Sequence, residues 1–174
     1  MTATKVQLST QVLGIAPSAD GRQLQVSRIA RGKHGATLVL DAQSLQETPS
    51  ADGPWLPVAT LENGFTSPHW SWTVGEFGAG LVAQARSGTK LKALPPPFND
   101  PALTVTAFAI SHDERHALVG NPSGFVSVFD TRTGDEVFAQ RLHRGHVTAA
   151  AFAPDGRHAY TGSATGELCR LTLP

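Results

Sequence analysis

The stretch covering residues 105–173 repeats itself. Arg115-His116-Ala117 returns as Arg157-His158-Ala159, Gly120 as Gly162, Gly124 as Gly166 and Phe129 as Leu171, each 42 residues further on. A constant offset of this size marks one small unit copied in tandem, and such a unit buries its apolar surface by stacking on its neighbours. No other feature of the 174 residues narrows the possible folds as far.

Inside each period the residues read as strands and tight turns. Residues 105–110 and 147–152 are short, small and apolar, as a strand buried on both faces requires. His112-Asp113-Glu114-Arg115 and Pro154-Asp155-Gly156-Arg157 are turns, because Gly supplies positive φ and Asp bonds its own backbone two residues on. Residues 117–119 and 159–161 form the next strands, and each ends in a turn closed by Gly124 or Gly166. Residues 125–129 and 167–171 give a third strand, and 137–142 a fourth, more polar one. Four antiparallel strands per period make one blade of a β-propeller. The fold class expected is all-β: an array of about four four-stranded antiparallel blades, as a small closed propeller or a half-propeller.

These residues resemble the WD-repeat family. Gly145-His146 stands at that family's Gly-His, Ala153-Pro154-Asp155-Gly156 at its Ser-Pro-Asp-Gly, and Phe129-Asp130 at its Trp-Asp. The resemblance covers residues 105–173 and weakens upstream. In the family a His, a Ser or Thr, a turn Asp and a Trp bond in series to brace each blade. The resemblance implies that His146 and Thr161 take the first two roles, with Thr165 at the Asp position and Leu171 at the Trp position. That series is incomplete, so packing is expected to hold the last blade. Scaffolding is the function the resemblance implies, with other proteins held on the faces and rim.

The upstream half carries two further blades. Residues 12–15 form a short apolar run, 17–21 a turn, and 23–29 an alternating strand; a basic, Gly-rich turn at 31–35 leads into residues 36–40. Residues 12–62 are a first blade, with an outer strand expected at 55–61 and a polar insertion at 47–54. In the second, residues 64–101, the alternation of Trp70, Trp72 and Val74 suggests the inner strand. Residues 81–85 and 89–94 follow, and Pro95-Pro96-Pro97 then ends pairing, because proline donates no ladder bond; the outer strand is expected to be missing or replaced by that segment. The third and fourth blades occupy 102–143 and 144–174. The fourth has no outer strand of its own, and residues 5–10, with Val6 and Leu8 alternating, are a spare strand that can supply it. Three arrangements remain open: a four-bladed ring closed in cis, a two-fold dimer of half-propellers, or docking on a larger partner.

Composition limits the function. Lys plus Arg balance Asp plus Glu, 14 against 14, which leaves no charge footprint for nucleic acid or an anionic membrane. Cys169 is the only cysteine, so no internal disulfide forms. The first ten residues carry no apolar leader, and no run approaches the roughly 20 apolar residues that span a bilayer; a cytoplasmic protein is the simplest expectation. His112 and His116 are four apart, a metal-ligand spacing on a helix, but here they lie in a turn entering a strand. Cys169 has no fixed base beside it and is expected to be a buried thiol. Asp20, Asp41, Asp113, Asp130 and Asp155 are explained by turn chemistry. No catalytic, metal or cofactor-binding residue is therefore assigned.

The chain is expected to be a non-enzymatic protein-interaction module; the alternative is an accessory subunit docked on a larger, possibly catalytic chain. Its partner would be a second copy of itself or a larger subunit, rather than nucleic acid or membrane. The loops between second and third strands, and those preceding the inner strand, line one face. The candidate partner-binding residues are Arg31, Lys33, Arg86, Asn121, Ser123, Arg144, His146 and Thr165 on that face, together with Trp70 and Trp72, since Trp is enriched at binding hot spots.

Overall fold

The computed structural model describes residues 2–30, 33–50, 54–56, 64–74, 80–86, 91–94 and 104–173. Among these residues there are fifteen strands and no helix. They form four antiparallel sheets. Blade 1 is β2 (Val12–Pro17), β3 (Gln23–Ala30) and β4 (Lys33–Asp41); blade 2 is β5 (Phe65–Thr66), β6 (Trp70–Val74), β7 (Leu81–Ala85) and β8 (Leu91–Leu94). Blade 3 is β9 (Ala107–Ile110), β10 (His116–Gly120), β11 (Phe125–Asp130) and β12 (Glu136–Arg141). Blade 4 takes β13 (Val147–Phe152), β14 (His158–Ser163) and β15 (Glu167–Thr172) from one end of the chain and β1 (Thr2–Gln7) from the other. Strands are called a to d from the inside of each blade outward.

The N-terminal strand therefore closes the last blade in cis, with a register running from Thr2↔Thr172 to Gln7↔Glu167. It occupies residues 2–7 rather than the expected 5–10. The alternation of Val6 and Leu8 runs past the end of the ladder, because the Leu8 N–H bonds the Gly166 carbonyl at 2.7 Å before the chain bends at Ser9 and Thr10. The Leu142 N–H does the same to the Gly124 carbonyl at 3.0 Å. Leu8 thus stands where Leu142 stands one blade earlier, and β1 is equivalent to β12.

Hydrophobic packing sets the blade order in space as 2-3-4-1. Trp72, Leu81 and Leu94 of blade 2 pack with Phe108, Ile110 and Phe129 of blade 3. Leu118, Val126 and Val128 of blade 3 pack with Phe152, Ala159 and Leu171 of blade 4. Ala149, Ala151, Tyr160 and Leu168 of blade 4 pack with Ile15, Leu24, Val26 and Leu40 of blade 1. The two middle blades are buried on both faces, whereas in the end blades buried and part-exposed residues alternate. Leu24 and Val26 are buried but Gln25 and Ser27 are not; Leu81 and Ala83 are buried but Gln84 is exposed. The outward faces of the end blades are thus largely polar, as terminal repeats need to be. No hydrophobic cluster joins blades 1 and 2 among the described residues, and the array is open there.

One device is used twice at the blade junctions. Thr106 Oγ1 donates to the Val147 carbonyl at 2.6 Å, and Thr148, its equivalent one period on, donates to the Val12 carbonyl. Gly120 and Gly162 receive the side chains of Val147 and Val12; a Cβ on either glycine would lie 2.3 Å from a valine Cγ1. The junction across the chain termini copies the one within the repeat. Gly162→Ala is expected to destabilise the protein by about 1–3 kcal/mol through overpacking. Adding Val12→Ala should recover part of that loss in a urea melt, which a purely local effect at Gly162 would not allow.

Two expectations upstream fail. The inner strand of blade 2 is β5, not the strand bearing Trp70 and Trp72; two residues are too few to show a period. The shift of one strand makes β6 strand b and β8 the outer strand, so that strand is present. In blade 1, Trp55 bridges to Ser18 and the Leu56 N–H bonds the Pro17 carbonyl at 2.8 Å. Residues 54–56 therefore lie against the inner strand, not at the outer edge, and residues 57–61 are outside the described ones. The outer edge pairs instead at Leu40↔Glu47, within the stretch expected to be an insertion.

Candidate functional site

Each blade has turns at two ends. The b–c turns and the connections into strand a share one end with Asn121, Ser123, Arg144, His146 and Thr165. A braced network lies beneath them, centred on Glu167, whose side chain is 3 % exposed. Its carboxylate accepts from the Arg144 N–H at 2.6 Å, from Thr165 Oγ1 at 3.2 Å and from Lys5 Nζ at 3.2 Å. Lys5 also donates to the Leu142 carbonyl. The His143 ring is buried, with Nε2 2.8 Å from Thr161 Oγ1 and Nδ1 3.8 Å from Glu167. Burial pushes the Glu167 carboxyl up, but the bonds from Arg144 and Lys5 outweigh it and hold it below its usual value.

This corrects the expected bracing series. His143 and not His146 bonds Thr161; His146 is exposed. Glu167 supplies the carboxylate missing at Thr165, so the blade is braced by side chains as well as packing. The Gly-His dipeptide drew the reading to His146, three residues too far. Lys5 was missed altogether, since nothing local in a strand of exposed residues marks a partner 162 positions away.

The other candidates scatter. Asn121 is fully buried and accepts the N–H groups of Ser123 and Phe125 at 3.0 Å each, which makes it a turn brace under the exposed Ser123. Arg144 and Thr165 are exposed beside Glu167. Trp72 is 1 % exposed, in the core between blades 2 and 3, with half-buried Trp70 against it at 6.5 Å between ring centroids. Arg86 is at the opposite end of the molecule, because β7 is strand c and Arg86 opens a c–d turn; its N–H bonds the His69 carbonyl at 2.9 Å. Lys33 opens β4 on the first face, and Arg31 lies outside the described residues.

The opposite end, the a–b face, has a cavity. A pit of about 70 Å³ opens where the inner strands converge, lined by Pro17, Leu56, Phe65, Ala109, Ile110, His112 and residues 150–153. All four blades contribute to it. The lining is apolar apart from the exposed His112 and backbone, and small alanines leave the room. Turns surround the mouth, and Trp70 sits at the edge of a shallow groove with Glu114, Arg115 and Arg132. The Glu114 carboxylate accepts the His69 N–H at 3.0 Å and lies 2.7 Å from His69 Nδ1, tying the a–b turns of blades 2 and 3 together.

Among the described residues, reactive groups do not converge on either face. Among the described residues no group of three His, Cys, Asp or Glu is placed to hold a metal. Cys169 is buried, and burial raises its thiol to about 11, far from a thiolate at neutral pH. The turn aspartates are held below their usual values by local bonds, Asp20 by the Ser18 hydroxyl and the Arg22 N–H, Asp130 by the Thr133 and Arg132 N–H groups.

Four antiparallel sheets, inner strands convergent and the last one completed by the first strand of the chain, define a β-propeller-like protein. Among solved structures the chain is similar to the β-propeller domain of Cps50 (Swd1) from Myceliophteria thermophila, at 14% identity and a TM-score of 0.47, over 93% of this chain and 65% of that one. It thus spans less than two thirds of that domain. No protein-family model matches the chain, and no curated protein does.

Proposed function

We propose that this protein is a non-enzymatic protein-interaction module that seats a partner on its a–b face. The observation carrying this is the pit: an apolar hole framed by Ala109, Ile110, Ala150 and Phe152, with exposed polar turns around its mouth. A desolvated apolar centre inside a polar rim is the anatomy of a binding hot spot. Its lining offers no acid-base pair for chemistry. The volume suits one side chain of a partner rather than a whole small molecule, whose pockets run to about 300 Å³ and more.

The test is selection of a displayed random-peptide library on the immobilised full chain, followed by binding to Ala150→Val, which narrows the pit by two methyl groups. Binders that lose affinity for the variant support the reading. A library giving only binders indifferent to the variant overturns it. The open junction between blades 1 and 2, where no hydrophobic cluster joins the described residues, favours a second reading, an accessory subunit docked on a larger chain. A solution mass near 18.3 kDa with a cooperative melt is the outcome expected of a self-sufficient module; a chain insoluble by itself would support the second reading.

A further inference from the structure

The charged residues are sorted between the two ends of the blades. Lys5, Arg28, Lys33, Arg141 and Arg144 stand at the b–c end, where Glu167 is the only carboxylate among the described residues. Every other described carboxylate lies in or beside an a–b or c–d turn at the opposite end. Five basic residues against one acid leave a surplus of four positive charges at the b–c end. Glu167 does not offset them at the surface. Its side chain is 3 % exposed, and its oxygens already accept from Lys5 Nζ, Thr165 Oγ1 and the Arg144 N–H. The opposite end differs, because Arg22 and Arg115 each stand beside an exposed aspartate of their own turn.

The basic groups of blades 3, 4 and 1 form one continuous patch. Arg141 Nη2 donates to the Arg144 carbonyl at 3.4 Å, and the Arg144 side chain is 89 % exposed. Lys5 meets Glu167 from the outer strand of the same blade. Arg28 joins from blade 1, with Nη1 3.4 Å from Ser9 Oγ. Residues 8–10 lie across the Gly166 turn, where a Cβ would come 2.5 Å from the Leu8 carbonyl oxygen. Thr165 in that turn packs in its turn on Gly145, whose Cβ would lie 2.9 Å from Thr165 Cγ2. Neither Arg28 nor Arg141 is ion-paired among the described residues.

We propose that the b–c end of the molecule docks an acidic peptide segment, whose carboxylates meet Arg28, Arg141 and Arg144. This surface is separate from the pit and gives the module a second partner site. Guanidinium suits the role, being always charged and matched to carboxylate in planar, two-point contact. A peptide fits better than nucleic acid, because no Phe, Tyr or Trp is exposed among the described residues to stack on a base.

The experiment is fluorescence anisotropy of the full chain with a labelled peptide of alternating glutamate and serine, the same peptide with lysine for glutamate, and a labelled oligothymidine. The glutamate peptide is expected to bind at least about tenfold more tightly than the lysine peptide, and to weaken as salt is raised. Arg141→Ala/Arg144→Ala should weaken it about fivefold or more. That variant should keep the melting temperature, because Arg144 braces Glu167 through its backbone N–H, which the change retains. Arg115→Ala/Arg157→Ala on the opposite face and Ala150→Val in the pit should leave the affinity unchanged. Equal affinity for the two peptides, or a b–c variant that binds as the parent does, overturns the proposal. An equal loss in both arginine pairs also overturns it, since the attraction would then belong to no one face. Tighter binding of the oligothymidine overturns it in favour of nucleic acid. A mass that doubles in low salt and reverts in Arg141→Ala/Arg144→Ala overturns it in favour of a second copy, whose opposite end carries the acidic turns. Failure here leaves the pit reading standing, and failure of the Ala150 test leaves this one.

Discussion

Gly166→Ala is expected to destabilise the protein by about 3 kcal/mol or more, whereas Gly134→Ala should cost only about 1–2 kcal/mol. Both glycines are in the left-handed region, with φ of 84° and 82°, where an L side chain carries a strain of about 1–2 kcal/mol. Their surroundings differ. A Cβ at Gly134 meets nothing within 4 Å, but one at Gly166 would lie 2.5 Å from the Leu8 carbonyl oxygen and 2.7 Å from that of Thr10. These are backbone atoms of the segment joining β1 to β2, and they cannot swing aside as a side-chain end can. Overpacking of about 1–3 kcal/mol is therefore added to the strain. Urea melts of both variants check this; equal losses would mean that residues 8–10 do not press on the turn. A Cβ at Gly124 would lie 2.1 Å from the His143 carbonyl oxygen, so Gly124 should behave like Gly166.

The second large effect is on pH. Burial pushes His143 down to about 4 from 6.5, with the Lys5 charge acting in the same sense and the Glu167 charge opposing. Above pH 6.5 the imidazole is neutral in both folded and unfolded chains and contributes no pH dependence. Between 6.5 and about 4 the unfolded chain takes up a proton that the folded one refuses, so stability falls as pH falls. By about pH 4 the loss is complete, at about 3 kcal/mol. Carboxylates held below their usual values, such as Asp20, Asp130 and Glu167, add their own loss only further into acid. A melting temperature declining from pH 6.5 is thus the signature of His143. His143→Gln should flatten that limb and leave the more acid one; a decline unaltered by the variant would show that another group is responsible.

What the sequence displayed plainly was periodicity. The 42-residue offset located the strands of blades 3 and 4 to within a residue or two, and the lack of an outer strand for the last blade pointed to the N-terminus as the source. Short elements escaped, since β5 has two residues and blade 1 is edged by a single bridge at Glu47; neither is long enough for alternation. The error over β5 propagated, placing Arg86 on the wrong face. Long-range polar contacts escaped too. Lys5 and Glu167 are unremarkable locally, and only the register of β1 on β15 brings them together.

The closing of blade 4 by β1 has a kinetic consequence. Register partners such as Gln7↔Glu167 and Thr2↔Thr172 are almost a whole chain length apart. On the ribosome β1 is made well before β15, with β2 to β14 between them, so blade 4 cannot be completed until those strands exist. Contacts of such sequence separation slow folding, because loop closure must be met before the ladder forms. A rearranged chain that begins at Leu8 and carries residues 2–7 after Thr172 on a short hairpin turn would make the same ladder a local event. Its native contacts would be those described, and its refolding should be faster.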